Sequence, residues 1–182
     1  MISDYVKGKK KFDYPVAIQN GIMLHRYIDT FTDEHEATKE AKQVFRPAYR
    51  LYSGAFVDVV YDYFLATDEN EFAGQSLLNF THVVYSTLDN NAQWLPERFA
   101  LLFPHMKQHN WLFNYRTSSG TYKSMGGVVK RAAYLTESET AFQLFEQHYQ
   151  LLKECYHHFW KDLKRYTAKQ FELLQNGPIS NI

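Results

Sequence analysis

The chain has 182 residues, and its 20 Lys and Arg balance 20 Asp and Glu to a formal charge of zero. A fold of that length buries roughly 70% of its unfolded surface, while the single cysteine, Cys155, excludes an internal disulfide framework and fits a reducing compartment. Charge balance argues against a surface built for nucleic acid, and with neither a bilayer-spanning apolar run nor a signal core in 1–11 the expectation is cytoplasmic, with no membrane.

Strand-like alternation is scarce, and apolar residues recur at three and four, the helical period. A first helix is expected over 15–29. Asp33-x-x-Glu36 reads as a capping box opening a second, which runs to about Arg46. Pro47 then suits the first turn of the segment that follows. Ser53-Gly54 leads into a third helix through Phe56, Val59, Val60, Tyr63 and Phe64, closed by Asp68-Glu69-Asn70. Further helices are expected over 72–88, over 95–115 with Pro104 as a kink or break, and over 122–135. In the last of these each residue of Gly126-Gly127 costs about 1 kcal/mol relative to Ala. Finally Phe142, Phe145, Tyr149, Leu152, Tyr156, Phe159, Leu163 and Tyr166 form one apolar stripe. It implies a long helix from near Glu139 to a stop at Asn176-Gly177-Pro178, packed on the core rather than on a coiled-coil partner. With no repeat or long linker, 1–182 reads as a single all-α domain.

The densest polar cluster is Gly21 to Asp33. His25 and Asp29 stand four apart and so share a helix face. An imidazole beside a carboxylate is half of a divalent-metal site, or a base with its orienting partner. The plain alternative, a surface hydrogen bond, is the commoner use of such a pair. Asp33 has its own plain reading as the N-cap of the next helix. In the second cluster Asp58 and Asp62 are again four apart, on an otherwise apolar segment where carboxylates are costly unless a cation or donors meet them. Facing one another, the two clusters would supply a mixed nitrogen and oxygen shell suited to Mn²⁺, Fe²⁺ or Zn²⁺. His105 and His109 lack a zincin signature, His157-His158 read as structural, and Cys155 reads as a core residue. Lys7, Lys9, Lys10 and Lys11 form a basic run, either a solvated tail or a docking patch for an acidic partner or a phosphate.

These residues carry a resemblance. Gly21-Ile22-x-x-His25-Arg26-x-Ile28-Asp29-x-x-Thr32-Asp33, followed by Asp58-x-x-Tyr61-Asp62-x-Phe64-Leu65-Ala66, resembles the acyl-carrier-protein phosphodiesterases. Looser matches are Trp111-Leu112-x-x-Tyr115, Gly127 with Arg131, the aromatic C-terminal helix, and Asp4-Tyr5-Val6-Lys7-Gly8. The resemblance implies a helical fold related to the HD-type metal-dependent phosphohydrolases. It also implies hydrolysis of the phosphodiester joining 4′-phosphopantetheine to the serine of holo-acyl carrier protein, aided by Mn²⁺, with Mg²⁺ or Fe²⁺ as alternatives. On it, Asp4, His25, Asp29 and Asp62 are the expected ligand pool, Asp58 a ligand or an orienter of ligands, and Arg26 a phosphate clamp. The run Lys7, Lys9, Lys10, Lys11 would meet the acidic carrier protein. Two departures from the family pattern stand out. The chain begins at Met1-Ile2-Ser3-Asp4, which reads as lacking a first segment with an Asn-Phe-Leu-Ala-His type motif, and Tyr63 stands where a histidine is common. A non-catalytic module that binds acyl carrier protein, or a phosphodiesterase for a small phosphodiester or nucleotide, are the alternatives.

Overall fold

The computed structural model describes residues 2–176, which contain nine α-helices and no strand. After 3₁₀ turns at Ser3–Tyr5 and Gly8–Asp13 come α1 (Val16–Glu34), α2 (Glu36–Tyr49) and α3 (Ser53–Thr67), the latter two joined by the turn Arg50–Tyr52. They are followed by α4 (Ser76–Asn90), α5 (Glu97–Gln108), α6 (Trp111–Asn114), α7 (Ser118–Arg131), α8 (Glu139–Gln147) and α9 (Tyr149–Asn176). The all-α expectation is met. No described helix is long and apolar enough to cross a membrane.

α2 lies against α3 and α9, α1 against α9, and α3 against α7. Their facing sides bury Phe45, Phe56, Val57, Val60, Leu152 and Tyr156. Aromatic rings join the layers: Tyr61 of α3 stacks on Phe159 of α9 with centroids 4.8 Å apart, and Phe31 of α1 stacks on Tyr166 at 4.5 Å. The C-terminal stripe is thus core, as its period predicted. A second cluster of Tyr85, Phe99, Phe103 and Met106 ties α4 to α5, and the Tyr85 hydroxyl accepts a hydrogen bond from the Leu112 amide at 3.1 Å.

Several boundaries fall elsewhere than the sequence suggests. α1 continues a turn past Asp29, and Asp33 is not a cap: its Oδ1 accepts from Lys42 Nζ at 2.8 Å. His35 caps α2 instead, with Nδ1 accepting from the Ala37 amide at 3.2 Å. Pro47 lies inside α2, which ends only where Arg50 turns to φ 47°. The expected helix over 95–115 breaks at Asn110, at φ 42°, and not at Pro104, whose lone missing N–H α5 tolerates. The single long C-terminal helix is two, parted at His148 (φ −108°, ψ 21°). Both halves face the same core, so the apolar stripe runs through the break unaltered. The stop signal Gly177-Pro178 lies outside the described residues.

Candidate metal centre

α1 is long enough to put residues 25, 29 and 33 in one row, successive positions four apart facing the same way. His25 Nδ1 meets Asp29 Oδ2 at 2.9 Å, which sets the neutral imidazole as the Nδ1–H tautomer donating to Asp29. The lone pair then resides on Nε2, which faces Asp4 Oδ1 across 4.0 Å, beyond hydrogen-bond reach. Asp4 comes from the N-terminal turn Ser3–Tyr5, and Arg26 holds that turn in place. From the middle of α1, Arg26 Nη2 donates to the carbonyl of the buried Val6 at 2.7 Å. Arg26, expected as a phosphate clamp, is engaged here with the backbone two residues beyond Asp4.

One ligand atom from each of Asp4, His25 and Asp29 lies within 4.8 Å of the others, and among the described residues no other group of three or more does so. Asp58 and Asp62 on α3 are outside that triad but electrostatically tied to it. Both are exposed on α3, yet desolvation by the surrounding protein is the largest influence on each carboxyl. Asp58 is pushed up to about 6, by desolvation first and then by the charge of Asp33; Lys42 opposes this, and Asp29 and Asp4 add to it. Asp62 is pushed up to about 7, again by desolvation and then by Asp58. The chain of influence runs from the triad through Asp58 to Asp62.

Beyond Asp62 stands Tyr115, whose phenol is raised by burial and then by Asp62, with Arg131 acting in the opposite sense. The looser sequence matches around Tyr115 and Arg131 thus supply groups whose charges interact with the Asp62 side of α3. Tyr63 is not among them. Its ring packs edge-on against Phe145 at 5.3 Å and Tyr149 at 6.3 Å, at the α8–α9 junction, and burial pushes its phenol up to about 12. Of the basic run, Lys7, Lys9 and Lys10 are exposed, whereas Lys11 is half-buried with Nζ 2.9 Å from Met23 Sδ. Asp33 and Lys42 bear on the site through their charges on Asp58. The 25, 29, 33 register was the available signal for Asp33; nothing local in the sequence pairs Lys42 with it.

The donor set suits a hard or borderline divalent cation. It offers one free imidazole nitrogen and several carboxylates, with no thiolate near. Carboxylates whose mutual repulsion raises their proton affinity are those that a cation would relieve.

Residues 1–163 match the family model described as acyl carrier protein phosphodiesterase. The chain is 30% identical over 166 residues to the acyl carrier protein phosphodiesterase of Yersinia pestis, covering 91% of this chain and 86% of that protein. Proteins of the same name from Photorhabdus laumondii and Salmonella agona are 28% and 26% identical, over 82% and 93% of this chain and 76% and 89% of theirs. No solved structure matches the chain.

Proposed function

The chain belongs to the acyl carrier protein phosphodiesterase family, and we propose that it hydrolyses the phosphodiester between 4′-phosphopantetheine and the serine of holo-acyl carrier protein. The observation that supports this most directly is the meeting of Asp4 with His25 and Asp29, brought from separate segments into one cation-sized ligand set. In this reading Asp4 and His25 Nε2 would hold the ion, while Asp29 would orient the His25 ring from Nδ1. Asp62 completes the pool from α3, and Asp58, between them in charge, orients the ligands. A divalent ion so held, Mn²⁺ or else Mg²⁺ or Fe²⁺, supplies Lewis acidity at the phosphoryl group and a more acidic bound water.

The remaining work falls to the protein. Asp29 fixes the His25 tautomer, so that Nε2 keeps its lone pair free. Arg26 keeps Asp4 seated beside it through Val6. Tyr115 and Arg131, coupled in charge to Asp62, would be the contacts for a phosphate oxygen, because a phenol and a guanidinium both donate hydrogen bonds. Water adds to phosphorus, the bond to the serine oxygen breaks, and that oxygen leaves as the hydroxyl of the apo-protein. Lys7, Lys9 and Lys10, exposed and close after Asp4 in the chain, would be a contact for the acidic carrier.

Intact-mass measurement of holo-acyl carrier protein, incubated with the chain and Mn²⁺ or with chelator, tests the reading. The phosphopantetheine mass should be lost only with the ion, and Asp62→Ala should abolish both ion binding and turnover. An unchanged mass in every condition, or a fully active Asp62→Ala variant, refutes the mechanism. Binding without cleavage would instead favour a module that holds the carrier protein.

A further inference from the structure

We propose that the C-terminal end of α2 and the turn after it, carrying Lys42, Arg46, Arg50 and Leu51, form the docking surface for an acidic face of the protein substrate. This rests on the function proposed above, because it is the protein substrate of that reaction that needs such a surface. The bond to be cut joins a prosthetic group to a serine on the substrate's own surface. The body of that protein must therefore lie against residues bordering the metal centre, and a remote patch would not serve.

The border is marked by continuity along α1. His25, Asp29 and Asp33 follow one another at single-turn steps, each about 6 Å along the axis. Asp33 receives Lys42 Nζ at 2.8 Å, and both line an open cavity of about 700 Å³ with Arg46, Pro47, Arg50 and Leu51. The row that begins at the metal ligands thus leads directly to this basic rim.

Apart from Asp33, every charged residue lining the cavity is a cation. Between Glu40 and Asp58 the sequence has no carboxylate, and its cations are Lys42, Arg46 and Arg50. Lys42 is paired with Asp33, whereas Arg46 and Arg50 make no ion pair among the described residues. The carbonyl end of α2 accounts for a cation in its last turn, hence for Arg46. It does not account for Arg50 and Leu51, which lie beyond the helix. Arg50 adopts φ 47° and ψ −115°, a sparsely populated conformation for a residue with a side chain. The next residue, Leu51, is 98% exposed, more than any other large apolar side chain described. A fully exposed leucine lining the same cavity as two guanidinium groups without ion pairs suits an apolar anchor within a rim that takes carboxylates bidentately.

The occupant is accordingly an acidic protein surface with an apolar residue to meet Leu51. Its test is calorimetric titration of holo-acyl carrier protein into the full chain in chelator, where hydrolysis is suppressed, at low and moderate salt. The double variant Arg46→Glu/Arg50→Glu should raise Kd by about tenfold or more and flatten its salt dependence. Leu51→Ala should weaken binding by a smaller factor without altering the salt dependence. All three sites are exposed, and unchanged circular dichroism confirms that the variants fold. Wild-type affinity in the double variant overturns the proposal, as does a loss confined to Lys7→Glu/Lys9→Glu/Lys10→Glu. The two readings separate cleanly. A carrier protein bound through Arg46 and Arg50 but never cleaved with Mn²⁺ refutes the reaction and keeps the surface. Cleavage by the double variant with an unaltered KM refutes the surface and keeps the reaction.

Discussion

Arg26 is the residue whose replacement separates two roles most sharply. As a clamp it would touch the substrate phosphate; as the structure has it, Nη2 secures the carbonyl of Val6 and so the turn bearing Asp4. Other contacts also hold that turn. Val6 is 3% exposed, and Tyr5 packs on Phe99 with ring centroids 5.7 Å apart. Arg26→Met keeps the aliphatic bulk but removes a charge-assisted bond worth about 1.5–3 kcal/mol. At 1.36 kcal/mol per decade, the ratio of seated to unseated turn falls by about 10- to 150-fold. Affinity for Mn²⁺ falls in proportion once the unseated form dominates. The assay is a Mn²⁺ titration of wild type, Arg26→Met, Asp4→Asn and the double variant. If Arg26 acts through Asp4, the double variant binds Mn²⁺ no more weakly than the worse single variant. Additive losses, or wild-type affinity in Arg26→Met, would refute the positioning argument and return Arg26 to the substrate.

One substitution should have opposite signs at two places in α7. A Cβ on Gly120 would stand 2.0 Å from the carbonyl oxygen of Asn114, so Gly120→Ala must part α6 from α7 and lower the melting temperature. At Gly126 the nearest atom is 3.7 Å away, and Gly126→Ala should stabilise by about 0.5–1 kcal/mol; thermal unfolding of both variants checks the pair, and equal signs would refute the packing argument. Tyr49→Phe strips the acceptor from the buried Ala141 amide, at 2.9 Å. It should cost about 1–3 kcal/mol, read as a melting point lower by about 2–12 °C, and a loss under 1 °C would mean that another acceptor replaces the phenol. Glu137 is held below the usual carboxylate range, chiefly by the Thr140 amide that it caps at 3.0 Å. A lowered carboxyl contributes stability above its unfolded pKa and loses it as pH falls through the folded one. The stability gap between wild type and Glu137→Gln should therefore be full at pH 7 and shrink below about pH 4.5, and a pH-independent gap in urea titrations would contradict it.

The helices were legible because burial imposes a period of three and four on residues such as Phe56, Val60, Phe64 and Phe159. Their junctions were less so. A stripe that serves one core carries no mark of the break at His148, since α8 and α9 both turn the same face to it. The left-handed Asn110 that ends α5 is likewise a tertiary choice, for the proline six residues earlier is the stronger local signal. Within the site, His25 and Asp29 could be paired from spacing alone, because one helix holds both. Asp4 could not. It reaches His25 only through a turn fastened by Arg26, and the sequence pointed to it by resemblance.

Asp33 shows where residue type stops being informative. Followed three residues later by Glu36, it has the composition of a helix N-cap, and a carboxylate at that position would satisfy orphan amides. The same carboxylate also continues the register of His25 and Asp29, and there it can meet Lys42 from the next helix. Both uses suit an aspartate, so composition does not choose between them. The choice is made by His35, which supplies the cap from two residues downstream and lets α1 run on through Asp33. An acidic row then extends from His25 and Asp29 to the basic rim of α2, and Asp33 becomes the foremost charge acting on Asp58. A local substitution in capping has thus set the electrostatics of the site, which is why Asp33→Asn should disturb Asp58 and Lys42 together rather than the start of α2.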